Sequence, residues 1–336
     1  MTKEEIKGQK FGAISYGTLN MNIGDDIQTM AAIRFLPHID AYVYREKISK
    51  FRAKEKHKVI MNAWWMFAPF RFPPSKAINP LLVSMHFHKP YEKVLFRKKS
   101  VEYLKNHAPV GCRDWSSMEM CKEHGIDAYF SGCLTTTLEP NPKIKREEYI
   151  LAVDVPNHIV EEIRKRTARP VVSISKNTVP LYAPQKRFEI AKIFLSVYHK
   201  AHAVITPNIH TALPSLAFQT PTLFYIPNKP RSDFKPRTDC FLDLFNCATQ
   251  TEFLANCNIY DFDNPPKNPE TYLKMKDKLI KQCTEFTGFN NENSLIDENG
   301  ISTEEAFKFI EKHKATAKHT LLHIFGLIRN IIRWHV

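Results

Sequence analysis

Short apolar runs and stretches of helical periodicity alternate along most of this chain. FGAISYG (11–17) leads through a turn into IQTMAAIRFL, where Ile27, Met30, Ala31 and Phe35 share one helical face, so a strand and then a helix are predicted. Asp25 and Asp26 stand where that helix wants an N-cap. KVIMNAW (58–64) and PLLVSMHF (80–87) are short enough for strands buried on both faces, which implies a parallel sheet. APVGCRD, WSSMEMCKEHG and IDAYFSG repeat strand, helix, strand, with Gly125 at the helix stop. EPNPKIKRE (139–147) then combines two prolines with charge and no apolar period, and reads as a linker.

The second half restarts the alternation. YILAVDV is followed by a helix opened by Asn157, then PVVSISK, a long helix near 187–200, AVITP, a helix near 210–218, and TLFYI. Past Asp239 the pattern is mostly helical. The expectation is an α/β protein with two Rossmann-like, doubly wound domains facing a cleft and a helical C-terminal extension. The boundaries implied are 1–140, 148–238 and 239–336.

Length and charge sharpen this. A chain of 336 residues exceeds one typical domain of roughly 100–200. Ten glycines against 22 prolines, with no Gly/Ser tract, leave no room for long flexible linkers. A formal net charge of +13 calls for an anionic partner: a phosphorylated small molecule, an acidic membrane surface or nucleic acid. No nucleic-acid-binding module accompanies it, and the aromatics are dispersed through apparent core runs, so nucleic acid is not expected. The seven cysteines form no close CxxC pair, which argues against a zinc site or a disulfide framework and for buried thiols in a reducing compartment. The opening MTKEEIKGQKF has no apolar h-region, so a cytoplasmic protein is expected.

Candidate chemistry gathers where strands end. Asn22, Gly24 and Asp25 lie in the turn after the first strand, with Gln28 on the helix that follows. Backbone N–H groups and the helix dipole there suit an anion or polar ligand, although a glycine turn with capping aspartates is the alternative. Arg113 follows the strand PVGC and is placed to grip a carboxylate or phosphate; a structural pair with Asp114 is the other reading. His210, between AVITP and an apolar helix, reads either as an exposed acid at the cleft mouth or as a cap. Lys229, Arg231, Lys235 and Arg237 form a basic loop after TLFYI, suited to a phosphorylated donor or simply solvated. His86 and His88 share a strand face, but no third ligand is visible, so His86 is read as cleft lining beside Asn62 and Trp64, with no metal.

NIGDDIQTMAAIRFL, VGCRDWSSMEMCKEHGIDAYFSGCLTTTL and AHAVITPNIHTALPSLAFQTPTLFY together resemble the three principal blocks of the polysaccharide pyruvyl transferases, in the family's order, over roughly residues 10–228. The resemblance implies a GT-B-like pair of domains and phosphoenolpyruvate as donor substrate, with no cofactor. The implied acceptor is a sugar of a surface polysaccharide or its lipid-linked precursor. It implies His210 as catalytic acid and Arg113 on the donor anion, joined on the donor side by Asn208, Lys229, Arg231, Lys235 and Arg237. Asn22, Gly24, Asp25, Gln28, Asn62, Trp64 and His86 would line the acceptor side. Two departures stand out: Asn208 occupies a position where the family commonly has arginine, and Ser131-Gly132-Cys133 one where many members have Asp-Pro. A GT-B glycosyltransferase using a nucleotide sugar and a non-catalytic glycan-binding relative are the alternative readings.

The tail from Thr320 to Trp334 sorts Leu321, Ile324, Phe325, Leu327, Ile328, Ile331 and Ile332 onto one half of a helical wheel and Arg329 and Arg333 onto the other. It is shorter than the about 20 apolar residues of a bilayer span, so two uses compete. One is peripheral contact with an anionic membrane on its cytoplasmic face; the other is packing on the protein or a second subunit. Oligomeric state does not follow from the sequence.

Overall fold

The computed structural model describes residues 3–17, 20–62, 64–179, 183–230, 232–297, 300–316 and 319. Arg231 and the expected tail helix over Thr320–Trp334 lie outside the described residues.

The chain is an α/β protein built on parallel sheets. The first half runs β1 (Lys10–Ser15), α1 (Ile23–Ile33), β2 (Ala41–Tyr44), β3 (His57–Met61), β4 (Trp64–Trp65), β5 (Ile78–Leu82), β6 (His86–Phe87), α2 (Lys98–Asn106), β7 (Val110–Cys112), α3 (Trp115–Glu123) and β8 (Ala128–Phe130). Its four-stranded sheet has the order β2-β1-β3-β5, and the short β4 and β6, just past the ends of β3 and β5, pair with each other. A parallel bridge from Met85 to Cys112 links this sheet to the β7-β8 pair: the Met85 N–H donates to Gly111 O at 2.9 Å and the Arg113 N–H to Met85 O at 2.7 Å.

The second half runs β9 (Ile150–Val153), α4 (Asn157–Arg164), β10 (Val171–Ile174), α5 (Pro184–Lys200), β11 (Ala203–Thr206), α6 (Ile209–Ala217), β12 (Thr222–Ile226), α7 (Phe234–Thr238), β13 (Asn246–Thr249) and α8 (Gln250–Ala255), and closes with α9 (Leu273–Thr287) and α10 (Thr303–Lys312). The sheet order is β10-β9-β11-β12-β13, all parallel. In both sheets the first strand lies inside, with the next strand in sequence on one side and the strand after that on the other, so the strand order reverses there and leaves a crevice at the strands' carboxyl ends. Asn62 stands at that crevice in the first sheet, and Asp154 and Asn208 stand there in the second.

One apolar cluster joins the two halves. Phe11, Ile27 and Met30 from the first share it with Leu151, Phe194 and Tyr198 from the second, and Leu279, Cys283 and Ile310 of the C-terminal helices complete it. Helix α1 is buried all round from Ile23 to Ala32 because β1 lies beneath it and the helices of the second half cover it. Its polar residues Asp25, Asp26, Gln28 and Thr29 are therefore buried as well and find their partners inside the protein.

Two expectations change. The N-cap of α1 is Asn22, whose Oδ1 accepts the Gly24 N–H at 3.1 Å, and Asp25 and Asp26 are buried inside the first turn. The chain past Asp239 is not helical alone, because Asn246–Thr249 forms the outer strand of the second sheet. NCAT carries no apolar run, as an edge strand with one covered face does not need one.

Candidate active site

The turn before α1 meets the second half along a short antiparallel contact. The Ile23 N–H donates to Lys176 O at 3.2 Å and the Thr178 N–H to Met21 O at 2.9 Å. On the far side of the same segment, Val179 N–H donates to His313 O at 2.7 Å and Ala315 N–H to Asn177 O at 3.1 Å. The segment after β10 is thus held between the α1 turn and the residues following α10. It carries Lys176 to the wall of a pocket of about 320 Å³, lined by Asn22, Lys176, Asn208, His210, Lys229, Asp233 and Arg237, with three prolines, Ile209, Phe234 and Thr238.

The pocket wall is cationic. Lys176, Lys229 and Arg237 line it against a single carboxylate, Asp233, which Arg237 Nη1 reaches at 3.2 Å. Partial burial and the nearby Arg113 charge lower the Arg237 pKa. Lys176 lies 3.8 Å from the Asp154 carboxylate, which also accepts Asn208 Nδ2–H at 2.9 Å. Asp154 holds a left-handed φ of 53°, a conformation in which Asp is among the more tolerated residues. Asn208 occupies the cap position of α6 but turns its amide to Asp154 instead of capping.

His210 is buried, not exposed as the sequence suggested, with 5 % of its surface accessible. Arg113 Nη1 stands 3.4 Å from its Nε2. A guanidinium only donates, so a neutral ring bonded this way carries its proton on Nδ1. Gly24 makes the approach to α1 possible: a Cβ there would stand 2.9 Å from His210 Cβ and 3.3 Å from Nδ1. Burial, then the charges of Arg113, Arg237 and Lys176, push the His210 pKa well below its ordinary value. In the protein alone the ring is neutral at pH 7.

Arg113 is fully buried and does not line the pocket. Its Nη1 donates to Gln28 Oε1 at 3.2 Å, and its Nη2 has no hydrogen-bond partner among the described residues. Gln28 Nε2 donates to Asp25 at 3.3 Å, and Asp25 lies 3.6 Å from the buried Arg45. Asp114 caps α3 by accepting the Ser117 N–H at 3.0 Å, and takes His86 Nδ1 at 2.6 Å. Burial would raise its carboxyl, but His86, Arg113 and Ser117 outweigh that and hold it at about 2. Burial drives His86 down to about 4 in spite of this contact, so the pair at neutral pH is an imidazole donating to a carboxylate. Among the described residues, no group of three or more His, Cys, Asp or Glu comes together as a metal site would require.

A model of the polysaccharide pyruvyl transferase family matches residues 22–230, more than half of the chain. The chain belongs to that family. It is therefore a transferase, and no match was found among curated proteins. Asn22, Arg113, Lys176, Asn208 and His210 of the pyruvyl transferase lie within the matched span, and Arg237 lies beyond it.

Of the residues singled out from sequence, Asn22, Asn208, His210, Lys229 and Arg237 meet at the pocket. Gly24, Asp25, Gln28, Asn62 and His86 are buried close behind or below it; Asn62 donates to Gln28 O at 2.7 Å. Trp64 pairs with His86 through β4 and β6. Lys235 is exposed and outside the lining. Lys176 escaped the sequence reading, although it sits where Arg113 does, directly past the end of a strand run, PVVSISK. All seven cysteines are free and five are buried, as their spacing suggested.

Proposed function

We propose that the pocket binds phosphoenolpyruvate and that the enzyme moves its pyruvyl group onto a sugar of a surface polysaccharide or its lipid-linked precursor. The observation that carries this is the excess of cations over carboxylates on the lining, with His210 among them. A donor with a carboxylate and a phosphate supplies the negative charge that Lys176, Lys229 and Arg237 lack. On this reading the first sheet serves the acceptor and the second the donor, in the manner of two GT-B-like domains.

In the reaction, a proton adds to the methylene carbon of the donor, leaving an oxocarbenium-like centre at the carbon that bears the phosphate. A sugar hydroxyl attacks that centre, the C–O bond to phosphate breaks, and a second hydroxyl closes the ketal. One hydroxyl proton replaces the proton given up and the other leaves with the phosphate. His210 is the proton donor, and it needs the bound anion to become one. The donor's charges, set against Lys176 and Arg237, offset two of the charges that hold the imidazole neutral and favour proton uptake on donor binding, against the larger effects of burial and Arg113, which remain. Arg113 is a positioning residue that fixes the orientation of the ring through Nε2. A positioned acid is worth about 10²–10⁴-fold in rate.

The test is phosphate release from phosphoenolpyruvate with a panel of galactoside, mannoside and glucoside acceptors. Acceptor-dependent release that His210→Ala abolishes is the expected result. Silence across the panel combined with binding of a nucleotide sugar would replace this donor with the other. The amphipathic residues of the tail further suggest a peripheral position on an anionic membrane, near a lipid-linked acceptor. No helix among the described residues is long and apolar enough to cross one.

A further inference from the structure

A pocket of about 320 Å³ has room for the donor and little more than one sugar, yet the family's acceptors are polysaccharides. The rest of the chain must leave over the surface. Trp115, two residues after Arg113, is the most exposed of the large apolar side chains among the described residues, at 48 %, and packs against Phe130 with ring centroids 6.2 Å apart. Phe130 in turn lines a groove of about 690 Å³ between the strand β8 and the helix α9. Among the described residues β8 pairs only with β7, so its outer edge faces this groove. Tyr129 is pinned there, its hydroxyl accepting Gln282 Nε2–H at 2.7 Å. Lys274, Lys278 and Lys281 recur along α9 at helical spacing and stand exposed on the rim, against one carboxylate, Glu285, which lies 3.9 Å from Lys281.

Flat aromatic faces beside the cleft, an amide-braced phenol and a row of three cations make a surface for an extended, acidic saccharide. Aromatic rings cover the apolar faces of sugars, and ammonium groups meet carboxylates. The reaction itself supplies those carboxylates: each completed ketal leaves one on the glycan. We propose that Trp115 and the β8–α9 groove hold the already pyruvylated stretch of the acceptor while the next sugar occupies the pocket. The inference rests on reading the pocket as the place of transfer, and it gives the second groove a substrate of its own: the product side of the same chain.

Binding without turnover tests it. The probes are a hexasaccharide bearing one pyruvyl ketal and the same hexasaccharide after mild acid removal of the ketal, titrated by calorimetry and by tryptophan fluorescence. Wild-type protein is expected to prefer the ketal form by about fivefold at low salt, the size of one screened ion pair. Lys278→Ser with Lys281→Ser should erase that preference and leave the binding of the acid-treated probe unchanged. Trp115→Ala should weaken both probes and remove the fluorescence response. Equal affinity for the two probes, or variants that bind both as wild type does, would overturn the proposal. Because no donor is present, failure of phosphoenolpyruvate turnover leaves this result standing. His210→Ala, which stops transfer, should bind the ketal probe as wild type does.

Discussion

Lys176→Met isolates what the cationic wall does. The lysine reaches the pocket from a segment whose backbone is fixed on both sides, by Met21 and Ile23 and by His313 and Ala315. Removing its ammonium therefore takes a charge away without releasing the loop. Its partner Asp154 keeps the Asn208 amide at 2.9 Å. A unit charge 4 Å from a donor oxyanion is worth roughly 4 kcal/mol at an effective dielectric of about 20. Lys176 is 21 % exposed and already shares its charge with Asp154, which reduces the net effect to about 1.5–2 kcal/mol, or roughly 10–30-fold. The expected result is a KM for phosphoenolpyruvate raised by that factor, with thermal stability close to wild type, since a partly exposed pair 3.8 Å apart contributes at most about 1 kcal/mol. Asn208→Arg added to this variant should recover much of the loss, because a guanidinium at 208 would stand beside the same Asp154 carboxylate. Steady-state phosphate release against donor concentration measures both. An unchanged KM in the single variant, or no recovery in the double, would refute the view that the cation held beside Asp154 binds the donor.

Two further outcomes follow from packing and titration. Gly24→Ala puts a methyl 2.9 Å from His210 Cβ and 3.1 Å from Asn22 Oδ1, so it should cost about 1–3 kcal/mol in urea unfolding and lower kcat by more than tenfold as the imidazole is displaced; near-normal turnover would show that the ring position is not critical. The second concerns acid stability. Burial holds His86 and His199 at about 4, below the about 6.5 of an unfolded histidine, so the unfolded chain takes up protons that the folded one refuses. Stability is therefore full above pH 6.5 and falls as the pH drops from there towards 4, by up to about 1.4 kcal/mol per pH unit for each histidine. His199→Gln, which keeps an acceptor for the Asn141 N–H now 3.1 Å from Nε2, should make the decline of Tm between pH 7 and pH 5 shallower; an identical decline would remove His199 from the account.

Most of the second sheet could be read from sequence because its central strands are buried on both faces. YILAVDV, AVITP and TLFYI are nearly unbroken apolar runs for that reason. NCAT, the outer strand at one edge, carries no such run and left no comparable signal. At the site, Arg113 and His210 were each visible as residues at strand ends, but their meeting at 3.4 Å across 97 positions was not. Asp25 and Asp26 misled because an acidic pair before an apolar face has the pattern of a cap. Their actual partners, Arg45 and Arg187, lie far along the chain, and Arg187 Nε reaches Asp26 at 3.0 Å from the other half of the molecule. Local rules describe what a residue can do at a helix start. They do not contain the distant guanidinium that decides what it does.

The segment holding Lys176 also bears on how the protein comes into being at the ribosome. Its inner edge needs residues 21–23, and its outer edge needs residues 313–315, which are made long after them. A nascent chain can build both sheets in order, each as its strands emerge, since domains generally fold as units from the N-terminal end. The pocket wall is different: it lacks its outer fastening until translation has passed Ala315. Chains cut short by premature termination between Pro230 and Ala315 would carry the whole span that the family model matches and still leave Lys176 without the support that aims it.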